Sequence, residues 1–198
     1  MLISALCSVQ AEDTPNARQA RRIFNEAYNQ FFGEEGAKLH YDVNIIGIYK
    51  TSGTIWRKGN KSKFADAKVM SWNDGQTIYT FRRKKKTVEI YDATDNKRDK
   101  YSRKFNFNLD NFDYSIAEED EGLMITLKTK KGVKGMKGIK EAHVLVERKT
   151  YHPIRLRLKV AFIWTTIKIS EFQAGGITDE MLRFPMEEYK NYKFDDKR

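Results

Sequence analysis

The sequence predicts an α+β fold: one amphipathic helix at the front of the chain, then antiparallel strands through most of the remainder. Three observations predict it. Apolar residues recur every three or four positions between Thr14 and Phe32, the period drops to two from Leu39 onward, and turn residues interrupt the alternating stretches at short intervals. The strand count comes to about eight to eleven, enough for a strongly curved sheet, a barrel or a sandwich.

The helix opens at Thr14-Pro15, a capping residue followed by one whose fixed φ suits a first turn. Ala17, Ala20, Ile23, Phe24, Ala27, Tyr28, Phe31 and Phe32 form an apolar, aromatic stripe that Gly33 ends, with Arg18, Arg21, Arg22, Asn25 and Asn29 on the other side. Such a stripe packs on a core or covers a ligand as a lid.

From Leu39, Leu39, Tyr41, Val43 and Ile45 share one strand face. A turn is expected at residues 51–53, then two short strands about Gly59-Asn60, "VMSW", a turn at Asn73-Asp74-Gly75, "TIYTF" and "TVEIYD". Residues 93–121 mix charges with aromatic side chains and read as a crossing segment with short helical turns. Strands resume at "LMITLKTK", "EAHVLVERKT", "IRLRLKVAF" and "TTIKISEFQ". Ile154, Leu156, Leu158 and Val160 alternate with Arg155, Arg157 and Lys159, so the sheet is expected to present one apolar face and, here, one basic, solvated face.

The chain has 198 residues, a net charge of +10, 40% hydrophobic and 13% aromatic content, which suits one folded, basic domain rather than a disordered chain. Residues 1–11 are apolar and close on Val9-Gln10-Ala11, small or modest side chains where a signal peptidase cleaves. They read as the end of a signal peptide that lacks the usual basic start, an apolar first strand being the alternative. Cleavage would leave residues 12–198 as a single cysteine-free domain in an extracytoplasmic compartment. Leu6 precedes Cys7 where lipidation of that cysteine would want a very small residue. No later stretch of the sequence approaches the apolar length of a membrane span.

Patterns for catalysis are sparse. His40, His143 and His152 are scattered, without metal-ligand spacing, and neither a nucleophile elbow nor a phosphate loop occurs. Glu118 to Glu121 read as a solvated turn. No enzyme activity and no cofactor are expected. Two basic segments stand out: Arg82, Arg83, Lys84, Lys85 and Lys86, and the lysines at 128, 130, 131, 134, 137 and 140 among Gly132, Gly135 and Gly138. The first is a solvated hairpin tip, with contact to anionic headgroups or an acidic partner as the functional reading. Export argues against a nucleic acid partner. The aromatic surplus would suit an apolar cavity for acyl chains or simply a filled core, and periodicity leaves both open.

The order of three short motifs behind the helix is more specific. "GTIWRKGNKSKF" (53–64), "WNDGQTIYTF" (72–81) and "RFPMEEYKNYKFDD" (183–196) together resemble the periplasmic lipoprotein carriers of the LolA type. That family has a Gly-x-Leu/Ile-Trp-x-Lys-Arg-Pro strand turn, an Asp-Gly-x-Thr-x-Trp/Tyr-x-Tyr/Phe hairpin and a late Phe-x-Pro segment. The resemblance spans about residues 16–196. It implies an unclosed half-barrel (LolA/LolB-like) of antiparallel strands, covered by the N-terminal helix and short helices. It also implies a monomeric periplasmic carrier without a catalytic site, one that receives acylated lipoproteins from an inner-membrane lipoprotein-releasing transporter, comes transiently near membranes and delivers to an outer-membrane acceptor. A lipid-binding or lipid-sensing module of the same fold is the alternative. On this reading the acyl cavity would be lined by Val43, Ile45, Ile55, Tyr79, Phe81, Ile154, Leu156, Leu158, Phe162 and Trp164, with Ile23, Phe24, Ala27 and Phe31 from the lid helix. Gly59 and Asn60 stand where the family has arginine and proline, and the family's arginine is implicated in holding the lid closed.

Overall fold

Thr14 caps the first helix, α1 (Pro15–Phe32): its hydroxyl accepts from the Ala17 amide at 3.1 Å. The structure, a computed structural model, describes residues 14–45, 49–95, 109–133, 139–160 and 162–198, without the side chains of residues 45, 49 and 160. The signal segment 1–11, residues 96–108 of the crossing segment and residues 134–138 of the Gly-Lys loop lie outside the described residues.

Among the described residues twelve strands form one sheet: β1 (Ala37–Ile45), β2 (Tyr49–Lys58), β3 (Lys61–Asp66), β4 (Val69–Asn73), β5 (Thr77–Arg82), β6 (Thr87–Asp92), β7 (Phe112–Glu119), β8 (Gly122–Thr129), β9 (Ile139–Val146), β10 (Pro153–Val160), β11 (Ile163–Ala174) and β12 (Lys193–Asp196). Their order is β12-β6-β5-β4-β3-β2-β1-β11-β10-β9-β8-β7. One run of hairpins leads outward from β1 to β6, another leads back from β7 to β11, and the β1–β11 pairing joins them through Tyr41 opposite Ile169 and Val43 opposite Ile167. Strand β12 runs parallel to β6, and the other pairs are antiparallel. Two four-residue helices, α2 (Asp179–Leu182) and α3 (Met186–Tyr189), precede β12.

Both hairpin turns of the motifs form where the sequence places them. Gly59 and Asn60 link Lys58 to its partner Lys61. In the second turn the Asn73 and Asp74 carboxamide and carboxylate accept from the backbone amides of Gly75, Gln76 and Thr77 at 2.7–2.8 Å, which holds the backbone before β5 begins.

Residues 51–53, expected as a turn, are strand interior. Gly53 pairs with Tyr41 on one side and Asp66 on the other. Here glycine supplies space: a Cβ would lie 2.7 Å from the Ala65 carbonyl oxygen and 2.9 Å from the Tyr41 hydroxyl. Residues 112–119, assigned to the irregular crossing segment, form β7. Phe112 and Tyr114 are buried and Ile116 half-buried, a period of two hidden in the sequence by the acidic run that follows. Leu109–Asn111 is a single 3-10 turn, the short helical turn expected there. The strand total among the described residues exceeds the expected range because β7 lay in the crossing segment and because β12, brief and mostly charged, lies beside β6 rather than in a hairpin.

Register gives each side chain a face, and the buried apolar residues change face along the sheet. Near β7 to β10, Phe112, Tyr114, Ile125, Leu127, Ala142, Val144 and Val146 meet Ala20, Ile23, Phe24 and Ala27 of α1. Followed strand by strand from Leu156 through Ile167, Val43, Thr51 and Ser71, the same face reaches Thr80, whereas Trp72, Tyr79 and Phe81 point to the opposite side. There Trp72, Phe81 and Val88 are buried under Phe184 and Tyr189 of the C-terminal segment. The expected single apolar face is therefore corrected to two half-faces. Alternation within a strand says that one side is apolar, and the register across many strands decides which side that is.

Candidate functional site

The face that α1 covers continues past it. On β11, β1, β2 and β3, Ile167, Ile169, Tyr41, Val43, Ile55 and Phe64 stand on that face and are half-buried, an apolar strip beside the helix rather than beneath it. Tyr41 stacks against Phe64 with ring centroids 6.1 Å apart. The C-terminal end of α1 borders the strip with three aromatic rings: Tyr28 stacks on Phe32 at 4.3 Å, and Phe31 meets Phe32 edge-on at 4.8 Å.

The β2–β3 turn holds this end of the helix. The Gly59 amide donates to the Gly33 carbonyl at 3.2 Å, and the Arg57 guanidinium lies 4.7 Å over the Phe32 ring. Gly59 offers no side chain to the helix, and it is Arg57, two residues earlier and on the α1 face, that reaches it. The two motif turns also touch: a Cβ at Gly75, whose φ is +96°, would lie 2.6 Å from the Asn60 side-chain nitrogen. Lys58 and Lys61 on either side of the turn bind Asp179 at 3.5 and 2.8 Å, and these lysines, Lys61 first, hold the Asp179 carboxyl below its ordinary value.

Electrostatics around the helix follow burial. Tyr114, packed on Phe24, donates its hydroxyl proton to the Leu109 carbonyl at 2.8 Å. Burial pushes its pKa up to about 12, against the opposing pull of the Arg21 guanidinium.

The residues expected to line one cavity are divided by the sheet. Ile23, Phe24 and Ala27 lie in the core beneath α1, with Leu156 and Leu158 half-buried against it. Val43 and Ile55 belong to the strip, and Phe31 stands at its helical border. Ile154 is half-buried, its Cδ1 3.6 Å from where a Cβ at Gly122 would be. The Ile45 side chain lies outside the described residues. Tyr79 and Phe81 belong to the opposite face: Tyr79 stacks on Phe184 at 4.4 Å, and Phe81 meets Tyr189 at 4.9 Å and Tyr192 at 5.0 Å. Trp164 also stands on that opposite face, and Phe162 projects from the β10–β11 turn. The basic side of β10 is less solvated than expected, since Arg157 lies over Trp164 and Arg155 binds Glu119 at 3.5 Å and Glu121 at 2.8 Å. Tyr41, Phe64, Ile167 and Ile169 were missing from the expected cavity. Alternation in "TTIKIS" carries the last two, but their position opposite Val43 and Tyr41 is a product of register.

The basic hairpin tip divides as well. Arg82 still belongs to β5 and donates to Glu89 at 2.8 Å. Burial works to raise the Glu89 pKa, but hydrogen bonds from Tyr91 and Arg82 outweigh it and hold the carboxyl below its ordinary value. Arg83 is exposed and donates to the Asp66 carbonyl at 3.1 Å, and Lys84, Lys85 and Lys86 form the exposed tip.

A cleft of about 260 Å³ lies on the opposite face between β5 and the C-terminal segment, lined in part by Lys61, Tyr79, Asp179 and Phe184. It is smaller than ordinary ligand pockets, which run to roughly 300–1,000 Å³. Among the described residues no group of three or more His, Cys, Asp or Glu side chains is placed to hold a metal ion, and no helix is long and apolar enough to cross a membrane.

No protein-family model matches the chain, and no curated protein matches it in sequence. Solved structures do. An uncharacterized conserved protein from Thermus thermophilus is similar with a TM-score of 0.58 and 10% identity, over 90% of this chain and 99% of that one. At such identity the likeness establishes a shared fold. Two further similar structures are a LolA superfamily protein from Nitrosomonas europaea, with TM-score 0.40 and 7% identity over 83% of this chain and 97% of that one, and LprF from Mycobacterium bovis, with TM-score 0.44 and 11% identity over 86% and 98%.

Proposed function

We propose that the protein is a periplasmic carrier that binds the acyl chains of lipoproteins along the apolar strip beside α1 and ferries them from the inner to the outer membrane. One observation carries the reading: Tyr41, Val43, Ile55, Phe64, Ile167 and Ile169 extend the helix-covered face as a half-buried apolar surface. The ordered motifs, which resemble those of lipoprotein carriers, support it from the sequence. In this proposal the sheet is a curved, unclosed half-barrel and α1 is its lid, with Arg57 and the Gly59 amide at the lid's C-terminal end.

An acyl chain of ~15 methylenes leaving water gains roughly 12 kcal/mol, so it needs shelter to cross an aqueous compartment. Release is possible if the aromatic end of α1 covers the strip again when cargo leaves, because apolar surface is then sheltered in both states.

The test is binding of a purified acylated lipoprotein, with its unacylated form as control. The acylated form is expected to bind and the control to fail, and Val43→Glu with Ile167→Glu should abolish binding while the folded baseline persists. Equal failure of both forms on the native protein would end the proposal. A lipid-sensing module would bind lipid but leave lipoprotein sorting intact when depleted.

A further inference from the structure

We propose that the β10–β11 hairpin docks the protein on a bilayer that carries anionic lipids. Phe162 at its tip is 85% exposed and the adjoining Ile163 is 41% exposed. The apolar strip does not use either residue, and it does not use Trp164. An apolar pair projecting from a hairpin into water is unfavourable unless another surface receives it.

The rest of the hairpin indicates which surface. Behind the tip, Trp164 lies on the sheet face opposite α1 with Arg157 4.9 Å and Lys159 5.5 Å from its ring. Val160 pairs with Ile163, Lys159 with Trp164 and Arg157 with Thr166, so the side chains are ordered along the strands. At about 3.3 Å per residue, Trp164 sits ~7 Å behind Phe162 and the cations at that depth or deeper in the protein. Apolar tip, indole and cations repeat the order of a membrane surface: acyl boundary, interface favoured by tryptophan, phosphates.

Charge favours an anionic surface over a zwitterionic one. Exposed Lys168, opposite Arg155, shares the face of Arg157 and Lys159. Carboxylates share that face: Glu141 is opposite Lys159 and bonded to His143 at 2.8 Å, while Asp42, opposite Lys168, and Glu119 and Glu121, bound to Arg155, lie farther from the tip than Arg157 and Lys159. The chain as a whole carries +10.

Docking does not require cargo, and the experiment uses the cargo-free protein, so its outcome is separate from that of lipoprotein binding. Flotation with phosphatidylglycerol vesicles at low salt is expected to carry the protein, with phosphatidylcholine vesicles about tenfold or more weaker. Arg157→Gln with Lys159→Gln should weaken binding by about tenfold. Phe162→Ser with Ile163→Ser should abolish flotation and leave a cooperative thermal transition, because Phe162 is almost wholly exposed and Ile163 partly so. Quenching of tryptophan fluorescence by brominated acyl chains should disappear in Trp164→Phe. Serines at Lys84, Lys85 and Lys86 should leave docking intact. Equal binding to both lipids, normal flotation of the Phe162/Ile163 variant, or loss of docking with the lysine tip alone would overturn the proposal. A concentration-dependent dimer abolished by the Phe162 change would also overturn it, by assigning the tip to a second copy of the chain.

Discussion

The side-chain amide of Asn16 pairs with the backbone of Ile116 in both directions, donating to its carbonyl at 2.8 Å and accepting from its amide at 3.0 Å. Ile116 lies on β7, which ends the sheet's pairing order. A helix residue thus supplies the two hydrogen bonds that a neighbouring strand would make, and it occupies part of an edge that could otherwise pair with another chain.

Asn16→Ala removes both bonds at an exposed position, and a cost of about 1–2 kcal/mol is expected, at a typical net value near 1 kcal/mol per bond. Urea unfolding should show a lower midpoint with an unchanged slope. The variant should also aggregate sooner during unfolding, which light scattering measures. An unchanged midpoint would show that water replaces the amide without loss.

Helix α1 was legible in outline and in detail, because Thr14, the 3.6-residue stripe and Gly33 are local signals. Most strands were legible for the same reason. The split of apolar residues between two faces was not, since Tyr79 and Leu156 each alternate cleanly and their relation depends on the register of the strands between them. The C-terminal segment hides differently. Phe184, Tyr189 and Phe194 were recognised only as part of a motif, yet they bury Trp72 together with Phe81, a residue expected in the cavity. The strip shows the same limit: Val43 was expected in the site, while Ile167 became visible only when pairing placed the two opposite each other.

That aromatic cluster makes the chain's end part of the core. Phe184 contacts Trp72 at 5.2 Å, Tyr79 at 4.4 Å and Tyr189 at 5.2 Å, and is 8% exposed. Phe184→Ala should cost about 3–5 kcal/mol, the usual range for deleting a buried aromatic side chain. Thermal unfolding measures it. Acylated-lipoprotein binding by the folded variant should persist, because the cluster and the strip lie on opposite faces. Loss of binding with an intact fold would move the site to the C-terminal side.

Arg82 and the lysines after it should separate on mutation. Serines at Lys84, Lys85 and Lys86 should change stability by no more than about 0.5 kcal/mol, as expected for exposed side chains. Arg82→Ser removes one of the two hydrogen bonds that hold half-buried Glu89, leaving that from Tyr91 at 2.7 Å, and should cost about 1–3 kcal/mol. Glu89 has a depressed folded pKa, so its contribution is present above the ordinary carboxylate range and lost as pH falls through the folded value. Denaturant midpoints for both variants, taken at neutral and acid pH, check the separation: the Arg82 penalty should shrink in acid, and the lysine variant should stay close to the native curve, because the charge of Lys85 acts on Glu89 less than the bonds from Tyr91 and Arg82 do.

Tyr114 governs part of the alkaline limit. Its pKa rises from 10.0 in the unfolded reference to about 12 beneath α1, so between those values the folded state keeps a proton that the unfolded chain releases. The corresponding stability is fully present below pH 10 and is lost as pH climbs toward 12, a change of about 2 kcal/mol for this shift. Tyr28 and Tyr189 are raised by burial as well, so the native protein loses more than this single share. Tyr114→Phe isolates it. The variant should be less stable near neutrality, because the Leu109 carbonyl loses its partner, and the gap to the native protein should close by about 2 kcal/mol on going to pH 12. Denaturant midpoints at a series of alkaline pH values measure that gap, and a constant difference would show that Tyr114 ionises alike in the folded and unfolded chains.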